Sequence, residues 1–140
     1  MPWANTEQDE GGNIGGTTEI LKKVDEGRDL TVMVVSGRVT ARQIIEALVD
    51  YYDGAFTQNL IWDYTAADLT AVANDDLRRI SSVATGYAHL RKEGRTAIVM
   101  PEILGFGLGR MYEILSEIDD NPIQYRIFKS SEEALRWLDS

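Results

Sequence analysis

The sequence predicts an α/β domain: a single mixed, mainly parallel five-stranded sheet packed against four helices, in the order β-β-α-β-α-β-α-β-α. Three observations predict it. The runs Thr31-Val32-Met33-Val34-Val35 and Arg95-Thr96-Ala97-Ile98-Val99-Met100 do not alternate with polar residues, which marks strands buried on both faces. The segments between such runs carry apolar residues at helical spacing. A hairpin opens the order, so an antiparallel pair precedes the βαβ units, whose crossovers are almost always right-handed.

The hairpin pairs Ile20 to Val24 with Leu30 to Val35 across the polar stretch Asp25-Glu26-Gly27-Arg28. Thr40-Ala41-Arg42-Gln43 has the capping-box form and opens a helix carrying Ile44, Ile45, Leu48, Val49 and Tyr52 inward until Asp53-Gly54. Leu60-Ile61-Trp62 begins a strand that reaches about Tyr64, and Thr65 to Ala73 is read as a connection of small residues. Asn74-Asp75-Asp76 then supplies an N-cap and first-turn acids for a helix with Leu77, Ile80, Val83, Ala84, Tyr87 and Leu90 on one stripe. Arg91, Lys92 and Gly94 mark its end, and it is expected to be the longest helix. Pro101 stops the strand that starts at Arg95, and a third helix begins near Glu102 or Ile103 with Leu104, Leu108, Met111, Tyr112, Leu115 and Ile118. Pro122 starts a last strand, and Ser130 with Glu133 caps a closing helix.

Composition limits the function classes. A chain of 140 residues, 44% of them apolar, holds one domain with a real core. The first residues, Met1 to Gly16, are rich in glycine and acid and read as a flexible leader in which Trp3 alone is suited to dock on the body, leaving one domain over 17–140. With no Cys and one His, thiolate chemistry and His-rich metal sites are excluded, and no metal or cofactor is expected. A net charge of −9 disfavours nucleic acid and anionic lipid. No apolar run has the length of a membrane span, and no basic and apolar targeting segment stands at the N-terminus, so a soluble cytoplasmic protein is expected.

Four groups of residues attract functional readings. Gly105-Phe106-Gly107-Leu108-Gly109-Arg110 offers glycines and a cation near a helix start, suited to an anion, but lacks the dinucleotide spacing. Packing or a dimer contact through Gly105 and Gly109, which share a helix face, is the stronger reading. Asp63, Asp68, Asp75 and Asp76 gather near a strand end where α/β proteins bind ligands, although helix capping and turn chemistry account for most of them. His89 has no nucleophile elbow beside it and is read as a helix-end residue, not a base. Tyr51 and Tyr52 are not expected both to face inward on one helix, so aromatic surface is expected to be left over as a pocket mouth or subunit interface. An enzyme built on Asp63, Asp68 and Arg110 is disfavoured because these residues have no nucleophile or metal partner in the sequence.

The hairpin ending Thr31-Val32-Met33-Val34-Val35-Ser36-Gly37, the stretch Arg95 to Val99 followed by Phe106-Gly107-Leu108-Gly109-Arg110-Met111-Tyr112, and the ending Arg126-Ile127-Phe128 with Glu132 to Leu138 together resemble the SpoIIAA-like family. That family has the fold of bacterial anti-sigma-factor antagonists (STAS domains) and, more distantly, of Sec14-type lipid carriers. The resemblance covers about Thr17 to Ser140 and is nearest to small stand-alone bacterial members. It implies a non-enzymatic regulatory module that binds a protein partner or a second copy of itself. The antagonist signature, Asp-Ser-Ser/Thr-Gly with a phosphate-accepting hydroxyl, falls on Asp63-Tyr64-Thr65-Ala66, where Tyr64 and Ala66 depart from it. The implied switch loop is Asp63, Thr65, Asp68 and Thr70. The Sec14-type relatives imply the alternative, a carrier of a small apolar or lipid ligand bounded by Trp62, Tyr64 and Phe106.

Overall fold

The computed structural model describes residues 17–100 and 103–140; the glycine-rich leader expected over Met1 to Gly16 lies outside the described residues. The chain runs β1 (Glu19–Asp25), β2 (Leu30–Arg38), α1 (Ala41–Asp53), β3 (Asn59–Asp68), α2 (Asn74–Tyr87), β4 (Arg95–Val99), α3 (Ile103–Ile118), β5 (Gln124–Phe128) and α4 (Ser131–Leu138). The strands lie in the order β1-β2-β3-β4-β5 in one sheet. β1 pairs antiparallel with β2, with Glu19 opposite Ser36 and Asp25 opposite Leu30. Every later pair is parallel. This is the predicted α/β architecture.

Local chemistry starts and stops these elements where the residue types require. The hairpin turn is closed by the Asp25 carboxylate, which accepts from the Arg28 backbone N–H at 3.2 Å, while Asp29 takes the left-handed conformation with φ 52°. At the start of α1 the Thr40 hydroxyl accepts from Gln43 N–H at 3.3 Å, and the Gln43 side chain accepts from Thr40 N–H at 2.9 Å, the expected reciprocal cap. Ser130 caps α4 by accepting from Glu133 N–H at 3.3 Å.

A sheet that grows strand by strand in one direction collects its right-handed crossover helices on one face. Here α1, α2 and α3 share the face onto which Met33, Val35, Leu60, Trp62, Tyr64 and Ile98 point. The alternate residues Leu30, Ile61, Ala97 and Val99 point the other way and are covered by Ala134, Leu135, Trp137 and Leu138 of α4. Both sides of β2, β3 and β4 are therefore apolar, which is why those strands read as continuous runs.

Three boundaries differ from the sequence expectation. β3 does not end near Tyr64 but runs to Asp68, because it outlasts β4 and stays paired with the end of β2, where Ser36, Gly37 and Arg38 face Ala66, Ala67 and Asp68. The pairing slips between Val34 and Ser36, so β3 carries an extra residue there, a bulge beside Tyr64 and Thr65. The N-cap of α2 is Ala73, whose N–H is satisfied by the Asp76 carboxylate at 2.9 Å, so Asn74 is already helical. Finally α3, with 16 residues, is longer than α2 with 14, because the last turn of the α2 segment tightens into a 3₁₀ turn over Ala88–Arg91.

Candidate functional site

Where α1, α2 and α3 close over the sheet they leave a cavity of about 50 Å3. Leu60, Trp62, Tyr64 and Ile98 form its floor, and Leu48, Leu77, Ile80, Leu108 and Tyr112 are among the residues above it. Trp62 and Tyr64 are two apart on β3 and so project to the same face. Their rings stack with centroids 5.9 Å apart and planes 7° apart. The structure thus joins two of the residues predicted for an apolar pocket. Burial pushes the Tyr64 hydroxyl above the ordinary tyrosine range, since the phenolate is disfavoured there. The side chain of Phe106, the third predicted wall, lies outside the described residues.

One wall of this cavity was not foreseen. Arg91 reads in sequence as a helix-end cation, yet it is 1% exposed. Its Nε donates to the Gln58 carbonyl at 3.0 Å, Nη1 to the Tyr52 hydroxyl at 3.1 Å, and Nη2 to the Arg95 carbonyl and Thr96 hydroxyl, each at 3.1 Å. The guanidinium also sits 5.5 Å from the Tyr51 ring centre and 6.0 Å from that of Tyr52. The sequence carries a signal for this: Leu77, Ile80, Ala84 and Ala88 recur at helical spacing, and the next step of that stripe is position 91.

The tyrosine pair corrects a second expectation. Tyr51 and Tyr52 are both buried, because the α1 C-terminus is enclosed on two sides. Tyr51 donates its hydroxyl to the Thr57 carbonyl, in the connection to β3, while Tyr52 stacks on Tyr87 of α2 at 4.9 Å. Phe56 packs against both rings, so this aromatic group is not left as exposed surface. On the cavity wall, burial pushes the Tyr125 hydroxyl up to about 12 and raises Tyr112 well above its ordinary value.

The predicted switch residues lie along the end of β3 and just beyond it. Asp63 is half-buried; its carboxylate accepts from Thr65 N–H at 3.0 Å and from the Ser131 hydroxyl of α4 at 3.4 Å. Thr65 is exposed at the bulge, within the strand and not in a loop leading to a helix. Asp68 accepts from Thr70 N–H at 3.0 Å and from the Thr70 hydroxyl at 2.7 Å. Those bonds hold the Asp68 carboxyl below its usual range. Asp76 is committed to Ala73 and to Arg79 at 2.8 Å. The acids therefore act in separate turns and caps, and among the described residues no group of three His, Cys, Asp or Glu side chains is placed to hold a metal ion.

The glycine segment is divided by the helix it occupies. Gly109 is buried against β5 and the end of β4: a Cβ there would lie 2.9 Å from Ile127 Cδ1 and 3.2 Å from Met100 Sδ. It is a packing glycine. Gly107 is exposed with nothing within 4 Å of a Cβ, and Arg110 is exposed and pairs with Glu113 at 3.4 Å. Trp62, Tyr64 and Gly109 thus meet at the cavity, while Gly107 and Arg110 stand outside it. Beside them lies the other feature the sequence did not reveal: Met111, Ile114 and Ile118 are 39%, 53% and 70% exposed. Helical spacing places Met111 and Ile118 in the core with Leu108, Tyr112 and Leu115, but α3 is apolar on two sides and can turn only one of them to the sheet.

Neither a protein-family model nor a curated protein matches the chain. Solved structures do. An anti-sigma factor antagonist from Mycobacterium paratuberculosis superposes with a TM-score of 0.57 at 18% identity, over 89% of this chain and 96% of that one. An uncharacterized DUF3478-family protein with a SpoIIAA-like fold from Shewanella loihica PV-4 gives 0.57 at 18% identity, over 91% and 98%. The anti-sigma factor antagonist SpoIIAA in its unphosphorylated form gives 0.52 at 12% identity, over 86% and 98%. The chain has the SpoIIAA-like fold. Among the described residues no helix is long and apolar enough to cross a membrane.

Proposed function

We propose that this chain of SpoIIAA-like fold is a non-enzymatic regulatory module that works by binding a protein surface. The observation that carries the reading is the apolar stripe Met111, Ile114 and Ile118 on the outer side of α3. An exposed apolar face flanked by charge is the usual mark of a protein interface. Two of its structural neighbours are named anti-sigma factor antagonists, which supports a regulatory role of this kind. Photo-crosslinking from position 118 in the native host tests it: a defined protein adduct is expected, and its absence at every expression level overturns the reading.

Within this role Thr65 is the better phosphate acceptor of the two predicted threonines. It is exposed at the bulge, whereas the Thr70 hydroxyl is already given to Asp68 at 2.7 Å. Denaturing mass analysis of protein from its own host is expected to show one phosphate, lost in Thr65→Ala. An unmodified chain under all growth conditions removes the switch and leaves partner binding standing.

A second reading, a carrier of a small apolar ligand, is favoured by the Trp62–Tyr64 cavity. An engineered apolar cavity of about 150 Å3 holds benzene. At about 50 Å3, this one admits only a ligand of a few heavy atoms unless α3 moves. Native mass spectrometry decides it: a co-purified small molecule supports the carrier, and a bare chain counts against it.

A further inference from the structure

We infer that the outer face of α3 is occupied by the same face of a second copy of this chain, the two helices lying antiparallel about a two-fold axis near Ile114. This rests on the partner-binding reading above and names the partner. Gly107, Met111, Ile114 and Ile118 fall at successive spacings of four, three and four, so they form one narrow stripe along three turns of helix. All four are exposed. The opposite side of the helix, Gly109, Tyr112 and Ser116, is buried. A helix apolar on both sides is ordinarily covered on both.

The charges on its flank point to a copy as the cover. Arg110, Glu113 and Glu117 run down one edge of the stripe. In an antiparallel two-fold pair the same edges face each other, and residues equidistant from the axis meet. An axis near Ile114 sets Ile114 against its own copy and brings Arg110 level, within one residue, with Glu117 of the other copy. Among the described residues Arg110 forms an ion pair only through Nε to Glu113, at 3.4 Å. Among the described residues Glu117 has no ion-pair partner, and it stands one turn from Glu113, a like charge. The second copy therefore sets, twice over, a cation level with Glu117, as an isologous interface requires. Gly107 leaves the backbone open to close approach. A groove of about 530 Å3 between α2 and α3, lined by Ser82, Gly86, Leu115 and Ile118 among others, opens beside the stripe where Met111 of the other copy would lie. The two acids on the edge make an anionic membrane a poor alternative cover.

Sedimentation equilibrium of the full chain over a broad concentration range tests this, with Ile114→Asp, Arg110→Glu and the reversal Arg110→Glu/Glu117→Arg. The wild type is expected to dimerise. Ile114→Asp should lower the association constant at least 100-fold and Arg110→Glu at least 10-fold, and the reversal should restore most of the latter. Circular dichroism should be unchanged, since all three side chains are exposed. A chain monomeric at every concentration, a dimer indifferent to Ile114→Asp, or a reversal that fails to recover each overturns the pairing. If the chain is monomeric yet position 118 crosslinks to a different protein, the self-pairing falls while the partner-binding reading stands; if neither occurs, both fall.

Discussion

Arg91 donates from Nη1 to the hydroxyl of Tyr52 at 3.1 Å, and this bond ties the 3₁₀ turn after α2 to the last turn of α1 inside the protein. The same guanidinium holds the start of β3 through Gln58 and the start of β4 through Arg95 and Thr96. Two stretches far apart in sequence, one holding Tyr52 and Gln58 and the other Arg91, Arg95 and Thr96, thus meet at one side chain. Among the described residues no carboxylate forms an ion pair with it, so dipoles and tyrosine rings stabilise the charge.

Arg91→Met keeps the apolar stem but leaves buried acceptors without donors, each costing about 1–3 kcal/mol. Relief from burying a charge offsets part of that. A net loss of about 3 kcal/mol is expected in urea denaturation at neutral pH, against about 1 kcal/mol for Tyr52→Phe. Equal effects of the two substitutions would show that the arginine is not the hub.

Two glycines should respond to alanine with opposite signs. At Gly94 a Cβ would stand 2.3 Å from the Gln58 carbonyl oxygen and 3.0 Å from that of Arg91, both backbone atoms that cannot withdraw without breaking the strand start. Gly94→Ala is expected to cost about 3 kcal/mol or more. Gly107, inside α3 with open space around it, should gain up to about 1 kcal/mol as alanine in the dilute, monomeric chain, from helix propensity. Paired thermal melts of the two variants check both signs.

Burial raises the hydroxyls of Tyr51, Tyr64, Tyr112 and Tyr125, the last to about 12, against an ordinary value of 10.0. The folded values lie above the unfolded ones, so the stabilising contribution is complete below pH 10 and drains away as the pH rises toward and past 12. Each such tyrosine costs about 1.4 kcal/mol per pH unit across its window. Unfolding is expected to become easier above pH 10, with a late, cooperative rise in phenolate absorbance. Smooth ionisation of all the tyrosines near 10 with the fold intact would contradict it.

Thr70→Val should let the Asp68 carboxyl return toward 3.8, because the side-chain hydroxyl is the largest cause of its lowered value. The direction is read by following the Asp68 carboxyl in an NMR titration. Asp68 is exposed, so the melting temperature at neutral pH should hardly move. A shift in the opposite direction would show that the turn does not depend on that hydroxyl.

What could be read before the structure was whatever depends on neighbours in sequence. The capping box at Thr40 and Gln43, the hairpin turn at Asp25 to Arg28, and the two-faced apolar runs of β2 and β4 are local or periodic signals, and each appears where the residues put it. Trp62 and Tyr64 were legible as a pair for the same reason, since alternation on a strand sends them to one face. The end of β3 is not legible because Ala66, Ala67 and Asp68 are poor strand formers by themselves; the neighbouring end of β2 supplies the hydrogen bonds. Tyr51 was misjudged because its burial comes from the Thr57 segment and Arg91, not from its own helix face.

The sequence by itself determined the element order, the mixed sheet and the caps of α1 and α4, since period and capping are properties of a few adjacent residues. Only the tertiary structure decided that Arg91 lies inside, that Gly109 packs while Gly107 stands open, and that Met111, Ile114 and Ile118 face outward. An apolar or charged side chain carries no local record of what will cover it. That depends on which strands and helices the winding of the sheet brings together, and a helix apolar on two sides has only one sheet to lie on.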